Sequence, residues 1–136
     1  MQLGIVMLDS NSTLNNLRYL REVTINPGDT AVIMFQLIDL DTISQNDLVG
    51  TRYMPIVGAT MTAVIPSIND FYTINAVPTM SFPNDDRSIW QIPLSSNQTQ
   101  NAAGCNINIV LTEGTKISSA VGKNILFFNP SSEYCC

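Results

Sequence analysis

A single stretch decides the fold of this chain, and it reads TAVIMFQLI at residues 30–38. Side chains of an extended strand alternate between two faces, and here both faces are rich in apolar residues. The first face consists of Ala31, Ile33, Phe35 and Leu37. The second face consists of Val32, Met34, Gln36 and Ile38. A strand that is apolar on both faces is typical of the interior of a sheet, so we expect cover on both sides.

The same period of two recurs along the chain at residues 59–65, 88–94 and 105–112. Residues 3–8, 72–77 and 124–128 are further strand candidates with weaker patterns. Residues 17–25 fit an alternating pattern as well as a helical one, and we interpret them as extended. The predicted core collects the inward residues of four strands, namely Ile33, Phe35, Met61, Trp90, Ile92, Ile107, Ile109 and Leu111.

Turn-forming residues separate these strands. Residues 26–29 (NPGD) have Pro in the second and Gly in the third position, which predicts a type II turn. Residues 113–115 (EGT) predict a tight turn, and residues 95–104 fit one helical turn capped by Ser95 and closed by Gly104. Seven to nine short strands separated by such turns predict an all-β protein, an antiparallel β-sandwich. A length of 136 residues fits one domain.

Composition excludes several classes of function. Charged residues make up only 12 % of the chain and the net charge is −5, which argues against a nucleic-acid partner. There is no histidine, so His-based nucleophile arrangements and His-containing metal sites are excluded. No stretch resembles a secretory signal or offers the roughly 20 apolar residues of a membrane span. We therefore expect a protein made in a cytoplasm, with no membrane partner.

The run VTINPGDTAVIMFQL at residues 23–37 resembles the opening of the immunoglobulin-like modules of tailed-phage baseplates and tail fibres. The N-terminal domain of baseplate-upper-protein (BppU-like) chains has this pattern, in which a strand leads through Pro27, Gly28, Asp29 and Thr30 into a long strand. Residues 58–65 resemble the next hairpin of the module, and residues 89–111 its closing strand–turn–strand unit. The resemblance implies an immunoglobulin-like sandwich. Within a single domain, 1–136, it divides the chain into an N-terminal extension (1–22), a module core (23–111) and closing strands with a tail (112–136).

Candidate reactive groups have simpler structural explanations. The carboxylates of Asp39, Asp41 and Asp47 are close in sequence, but the Gly and the closing Glu of a calcium loop are missing, so we expect solvated loop charge. Residues 85–87 (DDR) predict a turn with a surface ion pair rather than half of a catalytic acid pair. Cys105 lacks a base or cationic neighbour in sequence, and residues 135–136 (CC) form a poor disulfide framework. We predict no catalytic residues, no cofactor, no metal and no enzyme activity.

Aromatic residues raise the alternative of carbohydrate binding. A platform for sugar rings would use Trp90 with some of the tyrosines at positions 19, 53, 72 and 134. Trp90 shares its strand face with Ile92 and Leu94, which favours core packing instead. Exposure of Trp90, or of several tyrosines on one face, would support a carbohydrate- or receptor-binding module.

Both chain ends carry apolar residues on two strand faces, which is more than one sandwich core should cover. We therefore predict a subunit interface that includes Val6, Leu8, Phe127 and Phe128. Loss of residues 1–8, or of both phenylalanines, should then leave a folded chain that fails to assemble. With the resemblance, this predicts a structural protein of a tailed-phage virion, in the tail, baseplate, fibre adaptor or neck. Its partners would be other virion proteins and copies of itself. The alternative placement is a capsid decoration protein on the phage head.

Overall fold

The computed structural model describes residues 2–12, 16–42, 51–66, 71–78, 87–102, 106–122 and 126–128. Within these ranges the chain forms eleven strands, one short α-helix and a 3₁₀ turn at Leu40–Thr42. The first six strands are β1 (Leu3–Leu8), β2 (Tyr19–Leu20), β3 (Val23–Ile25), β4 (Ala31–Asp39), β5 (Thr51–Arg52) and β6 (Thr60–Pro66). The others are β7 (Phe71–Pro78), β8 (Ile89–Leu94), β9 (Ile107–Glu113), β10 (Lys116–Gly122) and β11 (Leu126–Phe128). The helix α1 spans Ser96–Asn101, between β8 and β9.

The strands form two antiparallel sheets joined through β7. The first sheet has the order β8-β4-β1-β2, with β5 beside the end of β4, and the second has the order β10-β9-β6-β7. Most of β7 pairs with β6, while its last residues, Val77 and Pro78, pair with β8. A separate ribbon joins β3 and β11 in parallel. The prediction of an all-β protein is confirmed. The expected seven to nine strands are not confirmed, because several of the eleven are pieces of two or three residues.

One core lies between the inner faces of the two sheets. All eight residues of the predicted core belong to it, at positions 33, 35, 61, 90, 92, 107, 109 and 111. Trp90 is 1 % exposed, and its indole N–H donates to the carbonyl oxygen of Arg87 at 2.7 Å. The prediction that these side chains form a single core is therefore confirmed. Burial of each such Ile, Leu or Phe contributes about 1.5–3 kcal/mol.

Strand β4 is buried on both faces from Ile33 to Ile38, whereas Val32, the first residue of the second predicted face, is 44 % exposed. Its outer face carries Met34, Gln36 and Ile38, and all three are buried. Met34 packs with Leu8 and Ile89 in a second, smaller cluster, which Leu17 covers from the segment before β2. Gln36 is satisfied inside this layer, since its amide donates to the Ser88 hydroxyl and its carbonyl oxygen accepts from the hydroxyl of Tyr19.

The turn at residues 26–29 has the predicted geometry. Gly28 has a φ of +90°, which a side chain would disfavour, and the amide of Asp29 donates to the carbonyl of Asn26 at 3.2 Å. The wholly buried Thr99 of α1 holds this turn: its hydroxyl accepts from the Gly28 amide at 3.0 Å and donates to the Asp29 carbonyl at 2.7 Å. The helix thus fastens the turn to the end of β8.

Helix α1 begins as its sequence predicts. Ser95 is the N-cap, and it forms a reciprocal capping box with Gln98. The C-cap is Ala102, in extended conformation. The predicted closing residue, Gly104, lies outside the described residues.

Residues 1–22 do not flank the fold as a separate extension in the part that the structure describes. Strand β1 lies inside the first sheet, between β4 and β2, and pairs with β4 from Leu3 opposite Asp39 to Leu8 opposite Met34. Gly4 lies directly under Leu40, where a Cβ atom would come within 2.6 Å of the Leu40 side chain. The start of the chain is therefore an integral part of the sheet.

Replacing Trp90 by alanine should destabilise the protein by about 3–5 kcal/mol, because a large buried aromatic side chain would leave a cavity. Thermal and denaturant unfolding of the variant measure this loss. Ile117→Ala is the matched control, since a truncation at this exposed position should change stability by less than about 0.5 kcal/mol. Wild-type stability in the Trp90 variant would contradict its place in the core.

Candidate functional site

On the outer face of the second sheet, the described side chains of three strands form a surface without charged residues. It presents nine described side chains, and we call it the Thr–Val face. It consists of Thr60, Thr62, Val64, Asn108, Val110, Thr112, Ile117, Ser119 and Val121. Every second residue of β6, β9 and β10 points to this side. Seven of the residues between them enter the core, namely Met61, Ala63, Ile65, Ile107, Ile109, Leu111 and Ala120.

Strand register arranges these side chains in three rows across the sheet. The first row is Thr60, Thr112 and Ile117. The second row is Thr62, Val110 and Ser119. The third row is Val64, Asn108 and Val121. Cross-strand neighbours of this kind contact one another directly, so the face is a continuous layer of methyl and small polar groups.

The Thr–Val face is most exposed along β10. Ile117 is 70 % exposed and Val121 is 53 % exposed, and both project from the same side of that strand. Single exposed apolar residues are ordinary, but two on one face without any charge between them form a patch suited to contact with another surface. Hydroxyl groups of Thr60, Thr112 and Ser119 supply hydrogen-bonding capacity without the desolvation cost of a charge.

Residues 53–57, called the strap, connect β4 with the end of β9, because the Tyr53 amide donates to the Leu37 carbonyl and two strap residues contact Glu113. Glu113 holds it, because its two carboxylate oxygens accept from the Tyr53 hydroxyl at 2.6 Å and from the Ile56 amide at 3.2 Å. Arg87 holds the other side by donating from Nε to the Pro55 carbonyl at 2.9 Å. The strap leaves Val57 79 % exposed, which adds an apolar side chain at this end of the protein.

The environment of Tyr53 changes its acidity. The hydrogen bond to Glu113, followed by burial and by the negative charge of that carboxylate, raises the pKa of Tyr53 from 10.0 to about 12. The ammonium group of Lys116 lies 5.7 Å from the centre of the Tyr53 ring, within the range of a cation–π contact. Tyr53 therefore has a structural role in holding the strap. Its pKa is too high for it to act as an acid or base near neutral pH.

The two predicted interface residues of β1 differ in their burial. Leu8 is 1 % exposed, because Met34 and Ile89 cover it within the chain. Val6 is half-buried on the outer side of β1, opposite Gln36. The second cluster of the chain itself thus covers Leu8, while Val6 belongs to neither cluster.

At the other end, Phe127 and Phe128 lie in β11, opposite Thr24 and Ile25 of β3. Their side chains lie outside the described part of the structure, so an interface at these two residues stays a prediction.

The remaining candidate residues do not meet at a reactive centre in the described part. The carboxylate of Asp39 accepts from the Asp41 amide at 3.0 Å, and that of Asp41 accepts from the Gln2 amide at 3.2 Å. Asp47, residues 85–86 and all three cysteines lie outside the described residues. Among the described residues, no three acidic or cysteine side chains gather into a metal-binding group.

Trp90 offers no platform for a sugar ring, because it is buried in the core. Tyr19 is partly exposed and Tyr53 is engaged with Glu113, while the side chains of Tyr72 and Tyr134 lie outside the described part. Exposure of Trp90 would have favoured a carbohydrate-binding module, and the structure shows that this residue is buried.

Comparisons with known proteins identify no relative. No protein-family model, no curated protein and no solved structure matches the chain. None of the helices in the described ranges is long and apolar enough to cross a membrane.

The Tyr53–Glu113 contact predicts a specific loss of stability at high pH. Since the folded protein holds the Tyr53 proton more tightly than the unfolded chain, this contribution is complete below pH 10.0 and disappears as the pH rises through about 12. Unfolding free energies of the wild type and of Tyr53→Phe should therefore converge over this range. Ultraviolet titration of tyrosinate should also show that Glu113→Gln moves the Tyr53 midpoint down toward 10.0. An unchanged midpoint in that variant would contradict the assigned contact.

Deleting residues 1–8 should unfold the chain rather than only prevent assembly. The deletion removes Leu3, Met7 and Leu8 from two clusters and exposes one edge of β4. Circular dichroism and thermal unfolding report the outcome. A folded, cooperative truncated protein would show that β1 is dispensable and would restore it as a candidate docking strand.

Proposed function

We propose that this protein is a structural component of a tailed-phage virion, in the tail, baseplate, fibre adaptor or neck, and that it acts through contacts between subunits. In this proposal the two sheets form an immunoglobulin-like sandwich, like the modules that residues 23–111 resemble. The partners are other virion proteins and copies of the same chain. The protein works as a building block without catalytic turnover.

The Thr–Val face is the observation that carries this proposal. It combines exposed Ile117 and Val121 with small hydroxyl side chains, and none of its nine residues is charged. Depletion of charge at the centre of a contact patch is a general property of protein–protein interfaces. Each apolar side chain of this size contributes about 1.5–3 kcal/mol when a contact buries it fully, so repeated contacts in an assembly add up.

The turn at residues 26–29 supports the resemblance to phage modules. Pro27 and Gly28 direct the chain into β4, and Thr99 of α1 holds the backbone at Gly28 and Asp29. The segment that resembles the module opening therefore leads directly into β4, whose inner residues belong to the core between the two sheets.

Two charges placed on the Thr–Val face should prevent assembly without unfolding the protein. In Ile117→Glu with Val121→Glu, both new side chains would be solvated in the free subunit but desolvated in a contact, so incorporation into particles should fall at least about tenfold. Quantitative immunodetection in purified virions measures incorporation, and thermal unfolding checks the fold.

The matched control adds the same two charges on α1, as Ser96→Glu with Asn97→Glu. Both positions are exposed, and acidic residues at a helix start are tolerated, so incorporation should remain at the wild-type level. Normal incorporation of the Thr–Val variant would show that this face is not the contact. Absence of the wild-type protein from purified particles would overturn the virion function, and gold labelling on heads rather than tails would favour the decoration alternative.

A further inference from the structure

The methionines that the structure describes divide into three buried residues and one exposed residue. Met7, Met34 and Met61 are at most 3 % exposed and pack in the two clusters of the protein. Met54 lies in the strap and is 39 % exposed. Because oxidation of sulfur side chains follows their exposure to solvent, Met54 is the accessible thioether among these four.

The Met54 sulfur also has a structural partner. The backbone amide of Arg87 donates to Sδ at 3.2 Å. The Nε of Arg87 donates to the Pro55 carbonyl at 2.9 Å, and its own carbonyl accepts from the Trp90 indole at 2.7 Å. Arg87 therefore connects the strap to the core through three of its groups, and Met54 takes one of these connections.

Met54 lies between the two strap residues that Glu113 holds. The Tyr53 hydroxyl and the Ile56 amide donate to separate oxygens of that carboxylate at 2.6 Å and 3.2 Å. Only Met54 and Pro55 separate these two residues in sequence, and proline restricts backbone rotation there. The position of Met54 is therefore coupled to the spacing of the two donors on Glu113.

We propose that Met54 is an oxidation site at which a peroxide converts the thioether to the sulfoxide and thereby loosens the strap. A lone pair of Sδ attacks one peroxide oxygen, so that an S–O bond forms and the O–O bond breaks. The proton of the transferred oxygen passes to the leaving oxygen, which departs as water or an alcohol. The sulfur is oxidised and the peroxide is reduced.

Oxidation changes the sulfur contact in either orientation of the new oxygen. If that oxygen accepts from the Arg87 amide, the sulfur must retreat by most of one S–O bond. If the oxygen faces water, the amide loses its acceptor and meets a sulfur that carries partial positive charge. Both arrangements move Met54 from its present position, so the bonds of the strap to Glu113 weaken.

Peptide mass spectrometry after limited treatment of the intact protein with hydrogen peroxide measures the oxidation of each methionine. Met54 should gain one oxygen at least about tenfold faster than Met7, Met34 and Met61, because the folded protein excludes solvent from those three. Equal rates at these four residues would overturn the assignment of the site.

Hydrogen exchange followed by amide NMR measures the strap before and after oxidation. The Ile56 amide should exchange about five- to tenfold faster in the oxidised protein, as for the loss of one average hydrogen bond. The Leu37 amide, which donates to the Ser88 carbonyl at 2.8 Å, should keep its rate as an internal reference. Reduction by methionine sulfoxide reductase should restore the original rate at Ile56. Oxidation of Met54 without a change at Ile56, or with equal acceleration at Leu37, would overturn the loosening of the strap.

Met54→Leu is the matched control, since leucine has a similar volume but offers no sulfur. Peroxide should leave the exchange of Ile56 in this variant at its untreated rate, whatever that rate is. Acceleration by peroxide in the leucine variant would overturn the proposal by assigning the effect to another residue. The inference is independent of the proposed virion function, because every measurement uses the free subunit and Met54 is not part of the Thr–Val face.

Discussion

The fold depends on the need to bury both faces of β4. This strand pairs with β1 on one edge and with β8 and β5 on the other, and its two faces belong to two different clusters. A two-layer arrangement covers only the inner face, so the outer face needs further cover. The segment before β2 provides it through Leu17 and Tyr19. The buried Gln36 does not destabilise this layer, because both its amide nitrogen and its carbonyl oxygen have hydrogen-bond partners.

Local patterns in the sequence predict much of this fold, but they do not predict which strands lie next to each other. The alternation at residues 30–38, the turn with Gly28 and the cap at Ser95 all depend on short-range geometry. Each forms as predicted, except that Val32 of the second face is exposed. By contrast, a strand pattern states which face is apolar and leaves open which strand lies beside it. The place of β1 inside the first sheet and the parallel ribbon of β3 with β11 therefore had no local signal.

In the candidate site too, the direction of each side chain is predictable from the sequence, but the neighbouring strands are not. Outward positions of Thr60, Thr62 and Asn108 follow from alternation, and Ile117 and Val121 could have been assigned to one face by the same rule. Their union into one uncharged surface needs the register of β6, β9 and β10, which the sequence does not contain. The predicted interface at Leu8 did not take the second cluster into account, because Leu17, which packs on that cluster, is distant in sequence and had an ambiguous pattern.

Because Trp90 is buried, its intrinsic fluorescence reports on the state of the core. It is the single tryptophan of the chain, and it lies in the shared core with its indole N–H bonded to the Arg87 carbonyl. Its emission wavelength and quenching by iodide therefore monitor the interior alone. Contacts made on the outside of either sheet leave this chromophore dry and unquenched, while loss of the core exposes it to water. A fluorescence measurement can thus distinguish a subunit that is misfolded from one that is folded and unassembled, without any label attached to the surfaces in question.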